Sequence, residues 1–473
     1  MNRKITFYTI FAWINILLFV LMLLVYNSNG SNRFINQNTV LLNTVLIAIS
    51  YFVNKDASRQ SNPLMAVLLF VMIFHFELRV ITLNYFEYSF ILDRATVSPN
   101  QLNSALLYII IAYVILWLSL RRTKKDTVRE DSSHVVLTKR QTKRILVLLY
   151  VCLLLSTAAS LGVPGIAQAI GILSTFFFNL EYMMLFALCY FIYNWKNEGL
   201  NNKLLFIAFV LLDIVIFTVI GKRGQIYTFA IMLFIVLLVF NYNSLKIKYL
   251  VFASCLAPLM VLIFSYATLT RQYGMRSIEV SDAKEMIQIW GEEMGGQDTK
   301  IVLAPVFDRI GFLDFSTEMI KNRDYLSKYL NTENYLKSVV DNLLTPGFNL
   351  FDMPKMSNVI DKCYEYKGTP NTKYYHLEDG YYQSDCLTLF GEAFLLFGPI
   401  LALVFVFIIG RLFSRFYFKK RFTHPINIIW IKACSLFLFY ILLYSFGLDW
   451  FLISLVSFTI NYFIFKRIVG IKN

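Results

Sequence analysis

The sequence predicts an all-α, polytopic integral membrane protein of about twelve transmembrane helices with one large, partly helical extracytoplasmic loop. Three observations carry that expectation. Hydrophobic residues fill 57% of the 473 positions and charged residues only 16%, against roughly a quarter charged in soluble domains. Apolar runs long enough to cross a bilayer recur along most of the chain. Lysine and arginine gather on alternate sides of those runs.

Hydrocarbon offers no partner for a free backbone N–H or C=O, so each run has to be helical. Spans are expected at residues 6–26, 38–53, 63–83, 103–120, 145–162, 172–194, 204–220, 225–241 and 249–269, then at 386–410, 426–446 and 450–465. The second is short and the last two abut. The chain thus divides into a membrane part (1–269), an outer loop (270–385), and three further spans with a tail (386–473). Arg3 and Lys4 precede the first run and no small-residue cleavage site follows, so it reads as a retained helix.

Counting cations orients the chain. With the N-terminus in the cytoplasm, 25 Lys and Arg fall in cytoplasmic segments, nine of them between Arg121 and Arg144. The opposite short loops hold only Arg33, Arg94, Lys222 and Arg223. The positive-inside rule then puts both termini in the cytoplasm. The same count accounts for the net charge of +14, because the outer loop alone carries 13 basic and 18 acidic residues. The basic excess suits anionic lipid head groups, and nucleic-acid binding is not needed to explain it.

Cys152, Cys189, Cys255 and Cys434 fall inside spans and read as packing residues, while Cys363 and Cys386 leave a disulfide chemically possible in the outer loop. No zinc-like Cys/His spacing occurs, and neither a Walker loop nor a dinucleotide fingerprint is present. Residues 121–144 read as a solvated basic connector. In the outer loop, apolar spacing predicts a short helix around Met286–Trp290 and one or two between Ile320 and Leu343, before Pro346.

Three groups of residues have the chemistry of a site. The first is the outward turn Gly221-Lys222-Arg223-Gly224, whose cations run against the positive-inside bias. Glycines allow close backbone approach and the next helix offers its N-terminus to an anion, as a lipid-linked pyrophosphate requires. The structural alternative is an arginine that snorkels to phospholipid phosphates. Arg271 and Arg276, around Tyr273, form the second group and extend a pyrophosphate clamp, or merely anchor the span they follow. The third is the start of the tenth span, with Asp385 followed by Gly391-Glu392. Glu392 lies inside the membrane, where an acid is either functional or paired with an arginine.

His376 is the only histidine of the outer loop and the natural candidate base, though a lone loop histidine is commonly just solvated. The loop is rich in aromatics, Tyr273, Tyr381 and Tyr382 among them. Their faces suit stacking on sugar rings, and equally an interfacial aromatic belt. Inside the spans, His75 and Arg79 share one helix face while Glu77 points elsewhere, and Glu181 and Asp213 complete the polar set. All five are expected to make interhelical pairings.

The basic inner face, the outward Arg-Gly turn at Gly221–Gly224, the single large outer loop and Gly391-Glu392-Ala393-Phe394 leading to Phe397-Gly398 together resemble the O-antigen and capsular polysaccharide repeat-unit polymerases, the Wzy type. The resemblance implies a bacterial cytoplasmic-membrane glycosyltransferase that joins polyprenyl-pyrophosphate-linked oligosaccharides without sugar nucleotide, ATP or other cofactor. It implies partners in the same pathway, a chain-length regulator and a flippase. Arg223, Arg271, Arg276 and Lys222 would then hold pyrophosphate, and Tyr273, Tyr381, Tyr382 and Asp385 the sugars. His376 or Glu392 would take the acceptor proton. Two rivals stay open. An O-antigen ligase would carry a histidine where this chain reads Tyr382-Gln383-Ser384-Asp385, and a flippase would have shorter loops and internal repeats.

Overall fold

The computed structural model describes residues 4–27, 32–121, 137–163, 179–220, 223–240, 311–344, 387–418, 425–444 and 447–470, together with scattered positions in 245–307 and 350–360. The described residues form helices joined by turns and short connections, apart from one antiparallel pairing of Lys4–Ile5 with Leu245–Lys246. In chain order the apolar helices are α1 (Phe7–Asn27), α2 (Gln37–Gln60) and α3 (Pro63–Phe86). A short α4 (Phe90–Arg94) leads to α5 (Pro99–Leu120), α6 (Lys139–Ser160), α7 (Leu180–Tyr193), α8 (Leu200–Val219) and α9 (Arg223–Val239). Next come α10 (Phe312–Lys321), α11 (Arg323–Leu326) and α12 (Thr332–Leu344), and the last described helices are α13 (Leu389–Tyr417), α14 (Pro425–Tyr444) and α15 (Leu448–Val469).

Eight of these helices are long and apolar enough to cross a membrane. Three further apolar segments, Leu180–Tyr193, Gly224–Val239 and Ile428–Tyr444, are shorter. The expected ninth span, 249–269, lies outside the described residues except for four positions.

Local sequence sets the helix starts. Asn36 and Thr39 satisfy each other's backbone N–H groups in a capping box that opens α2, and Thr138 with Gln141 does the same for α6. Asn62 caps α3, whose first residue is Pro63, where a missing N–H costs nothing. Thr388 opens α13 by accepting from the Gly391 N–H at 3.2 Å. A π turn over Ile73–Glu77 interrupts α3. His75 there reaches the Tyr227 hydroxyl at 2.8 Å and stacks on Phe312 at 4.1 Å. Glu77 turns the other way and accepts from the Ser50 hydroxyl.

Segments assigned to one side by charge touch one another. Arg121 pairs with Asp56 at 2.7 Å, Arg411 donates to the Arg121 carbonyl, and Gln141 donates to the Gly470 carbonyl. At the other end Arg33 pairs with Asp93 at 2.9 Å.

Residues 311–344 depart most from expectation. Helix α10 starts at Phe312, eight residues before the apolar pattern suggests one. Residues Phe312 through Met319 are all buried, packed among α4, α5, α13 and the π turn. Its two acids stand one turn apart and each meets an arginine. Asp314 accepts from Arg79 at 2.5 and 2.9 Å and from the Ser89 hydroxyl at 2.6 Å, while Glu318 accepts from Arg94 at 2.8 and 3.0 Å. Lys321 then donates to the Ala95 and Thr96 carbonyls. Gly311 lets the first pair form, because a Cβ there would sit 2.5 Å from Arg79 Nε.

Helix α13 breaks at Gly398 (φ 73°), just before Pro399. Arg323 from α11 fills the gap, donating Nε to the Phe394 carbonyl at 3.2 Å, and its guanidinium lies where a side chain on Gly398 would be.

Removing one member of a buried ion pair costs about 3–5 kcal/mol because the other charge stays buried. Glu318→Ala is therefore expected to lower the melting temperature of the purified protein sharply. The double replacement Arg94→Met with Glu318→Leu should recover most of the loss. A double variant no better than the single one would show that α10 is held by other contacts.

Candidate functional site

Five helices meet around a cavity of about 290 Å3. Helix α6 ends there with Ser156 and Ser160, α7 begins there with Leu180 and Glu181, and α9 contributes Gln225 in its first turn. Asp213 of α8 and Trp450 of α15 close the wall. Asn179 orders the α7 end: its side chain accepts from the Glu181 and Tyr182 N–H groups, and its own N–H donates to Asn461 Oδ1 at 2.8 Å.

Among the described residues, Glu181 and Asp213 do not make the interhelical pairing expected of polar residues in spans. Both line the cavity instead. Asp213 is buried, and its Oδ2 has no hydrogen-bond partner among the described residues. The physical reason is position: both side chains open onto space between helices.

Helix α9 starts at Arg223, two residues before the cavity-lining Gln225. A Cβ added to Gly224 would meet no described protein atom within 4 Å, so packing does not demand this glycine. The side chain of Arg223 lies outside the described residues. So do Lys222, Arg271, Tyr273, Arg276, His376, Tyr381, Tyr382 and Asp385, along with Cys363 and Cys386. Of the described cysteines, Cys152, Cys189 and Cys434 are buried and free.

Glu392 is the one sequence-derived site residue whose side chain is described. It is fully buried in the first turn of α13, and no arginine pairs with it among the described residues. Its Oε1 accepts the Leu448 N–H at 2.8 Å, at the start of α15. One residue on, Asp449 accepts from the Ser338 hydroxyl at 2.7 Å and from the Met356 N–H at 3.1 Å. Gly447 lies between the two acids with φ 117°; a Cβ there would be 2.4 Å from Asp449 Oδ1 and 3.5 Å from Glu392 Oε1. The second wall of this cluster is Tyr335 of α12. Burial pushes its phenol well above the ordinary tyrosine range, and the charges of Glu392 and Asp449 add to that.

The acid cluster and the cavity adjoin at the start of α15. Asp449 belongs to the first and Trp450 to the second, and successive helical residues point about 100° apart. Sequence reasoning missed Asp449, Trp450 and Tyr335. The available signal was an acid two residues after a glycine, in the first turn of the last helix, where a helix N-terminus stabilises negative charge.

Separating the fold from the chemistry at Glu392 takes two variants. Glu392→Gln keeps an oxygen for the Leu448 N–H and should melt close to the parent. Glu392→Ala leaves that N–H without its acceptor and should cost about 1–3 kcal/mol. Equal melting of the two variants would show that the bond to Leu448 carries no stability.

No protein-family model, curated protein or solved structure matches this chain, so what the site does is read from its own residues.

Proposed function

We propose that this protein is a membrane glycosyltransferase that polymerises polyprenyl-pyrophosphate-linked oligosaccharide repeat units on the outer face of the bacterial cytoplasmic membrane. The observation that carries the reading is a polar cavity of about 290 Å3 directly behind the helix start at Arg223, within a bundle of apolar helices. A lipid-linked donor needs both features together: a cation for its pyrophosphate at the membrane surface, and a polar recess for its sugar.

The three shorter apolar helices and the run 249–269 bring the crossings to twelve, with both termini cytoplasmic. The outer ends of α6, α7, α9 and α15 then share one side with the outer loop. In the reaction, the acceptor hydroxyl of one repeat attacks the anomeric carbon of the glycan held on the other lipid. The bond from that carbon to the pyrophosphate oxygen breaks, polyprenyl pyrophosphate leaves, and the hydroxyl proton passes to a base.

Negative charge grows on the departing oxygen, so cations facing it in a water-poor site act mainly at the transition state. Arg223 is assigned that role, assisted by Arg271 and, less directly, Arg276 and Lys222. Tyr273, Tyr381, Tyr382 and Asp385 are assigned to the sugars. The base is His376 or Glu392. Glu392 is oriented by the Leu448 N–H, which its Oε1 accepts at 2.8 Å.

Loss of one strong transition-state donor lowers rate about a hundredfold or more. Arg223→Ala is expected to reduce polymer to that extent at normal protein level, and Arg223→Lys to recover only part, because an ammonium lacks the bidentate fork. Glycan length on gels, beside immunoblots, reads both. Deleting the chain should leave single lipid-linked repeats, whereas long unattached polymers would indicate a ligase. Normal polymer from well-expressed Arg223→Ala would remove the turn from the site.

Orientation is tested separately. Cysteine at Asn334 should react with an impermeant thiol reagent in intact spheroplasts, and cysteine at Ser132 should not. The reverse pattern would invert every assignment above.

A further inference from the structure

The cavity's lining says more about its ligand than that it is a sugar. We propose that it seats a single sugar ring bearing no negative charge, held by the carboxyl groups of Asp213 and Glu181, with the anionic end of the donor left outside at the Arg223 turn. The inference rests on the polymerase reading for the ligand's being a sugar; its size and charge follow from the cavity itself.

Size comes first. A volume of about 290 Å3 stands at the lower end of small-molecule sites, which run from about 300 to 1,000 Å3. It is far too large for a bare ion and too small for an oligosaccharide. One ring fits.

The lining then selects the chemistry. Hydroxyl and amide groups from Ser160 and Gln225 both donate and accept, and the carboxyls of Asp213 and Glu181 add strong acceptors. The indole of Trp450 supplies a flat apolar face, which suits the C–H face of a sugar. Asp213 gives the most direct sign of a missing partner, because it is 1% exposed and its Oδ2 has no hydrogen bond among the described residues. A buried polar oxygen without a donor is costly. A sugar hydroxyl or ammonium supplies that donor.

Charge excludes the remaining class. No lysine or arginine is among the described lining residues. A uronate or phosphate-bearing ring would face two carboxyls with no counter-charge among the described lining residues, and like-charge contacts of that kind are disfavoured. Neutral and amino sugars meet no such barrier.

The test is a thiol footprint on the full chain in lipid nanodiscs. Ser160 lines the cavity at the end of α6 and is only half-buried, so Ser160→Cys should be reached by a small neutral thiol reagent. Labelling is read against the unsubstituted chain. Methyl glucoside and methyl glucosaminide should slow the reaction, with methyl glucuronide at least about tenfold less effective by concentration. Adding Asp213→Asn should weaken protection by methyl glucoside about tenfold and narrow the gap to the glucuronide. A thiol inert to the reagent, no protection by any glycoside, or equal protection by the glucuronide would each overturn the proposal. Polymer made by a chain indifferent to all three glycosides would sink this inference and spare the polymerase. Protection in a chain that makes no polymer would do the reverse.

Discussion

Two buried ion pairs, Arg79 with Asp314 and Arg94 with Glu318, decide where the rest of this molecule goes. Taking four charges out of water is expensive, and such pairs commonly stabilise no better than apolar residues of the same volume. What they provide is position. Asp314 and Glu318 stand one helical turn apart, so only one face of α10 can meet Arg79 and Arg94 together. Slipping α10 by a residue would leave buried charges unmatched on both sides. A segment that reads as hydrophilic loop is thereby fixed inside an apolar bundle.

From α10 the constraint passes by direct contact to the candidate site. Ser316 hydrogen-bonds Thr388 at 2.5 Å, and Thr388 caps α13. Gly391 packs so closely on α10 that a Cβ would lie 3.0 Å from Ser316 Cα. The next residue is Glu392, which holds the start of α15 through the Leu448 N–H, and two residues beyond comes Trp450 in the cavity wall. Arg323, two residues after α10 ends, braces the break in α13 at Gly398. Every link is a short polar contact or a glycine-permitted approach, and such contacts tolerate little drift.

The helical, membrane-type character was legible in sequence because hydrophobic runs are local properties. Two helices, from Gln37 and Pro63, start within a residue of the expected spans at 38 and 63, whereas α6 starts at Lys139, six residues before 145, because Thr138 and Gln141 cap it there. The membrane character of the helices follows from composition alone. Helix α10 was not legible, since Asp314 and Glu318 among Phe312, Phe315 and Met319 look amphipathic, as if one face met water. Only the distant arginines, more than 220 residues earlier in the chain, turn that polar face into a buried one. Arg94 was visible as an exception to the positive-inside count, yet its partner was not. Glu392 was visible as an intramembrane acid, while its neighbours Tyr335 and Asp449 come from helices that no local pattern links to it.

The division of charge around the cavity gives the proposed site a direction. A donor that joins a sugar to a pyrophosphate has one neutral or weakly polar end and one strongly anionic end. The recess carries the carboxyls of Glu181 and Asp213, and the turn at Arg223 carries the guanidinium that opens α9. An anion is repelled from the first and attracted to the second, while hydroxyls are welcome in the first. On the proposed reading a lipid-linked sugar would enter ring inward, with its phosphates toward the helix start at Arg223. In that pose the bond to be broken lies at the boundary between the two charge zones, where cations act on the leaving oxygen and not on the ring. Had the acids of the recess been paired with interhelical cations, as polar residues in spans usually are, this asymmetry would be lost and either end could bind. Leaving Asp213 unpartnered is costly to the empty fold, and the cost is offset when a ligand donor fills the recess.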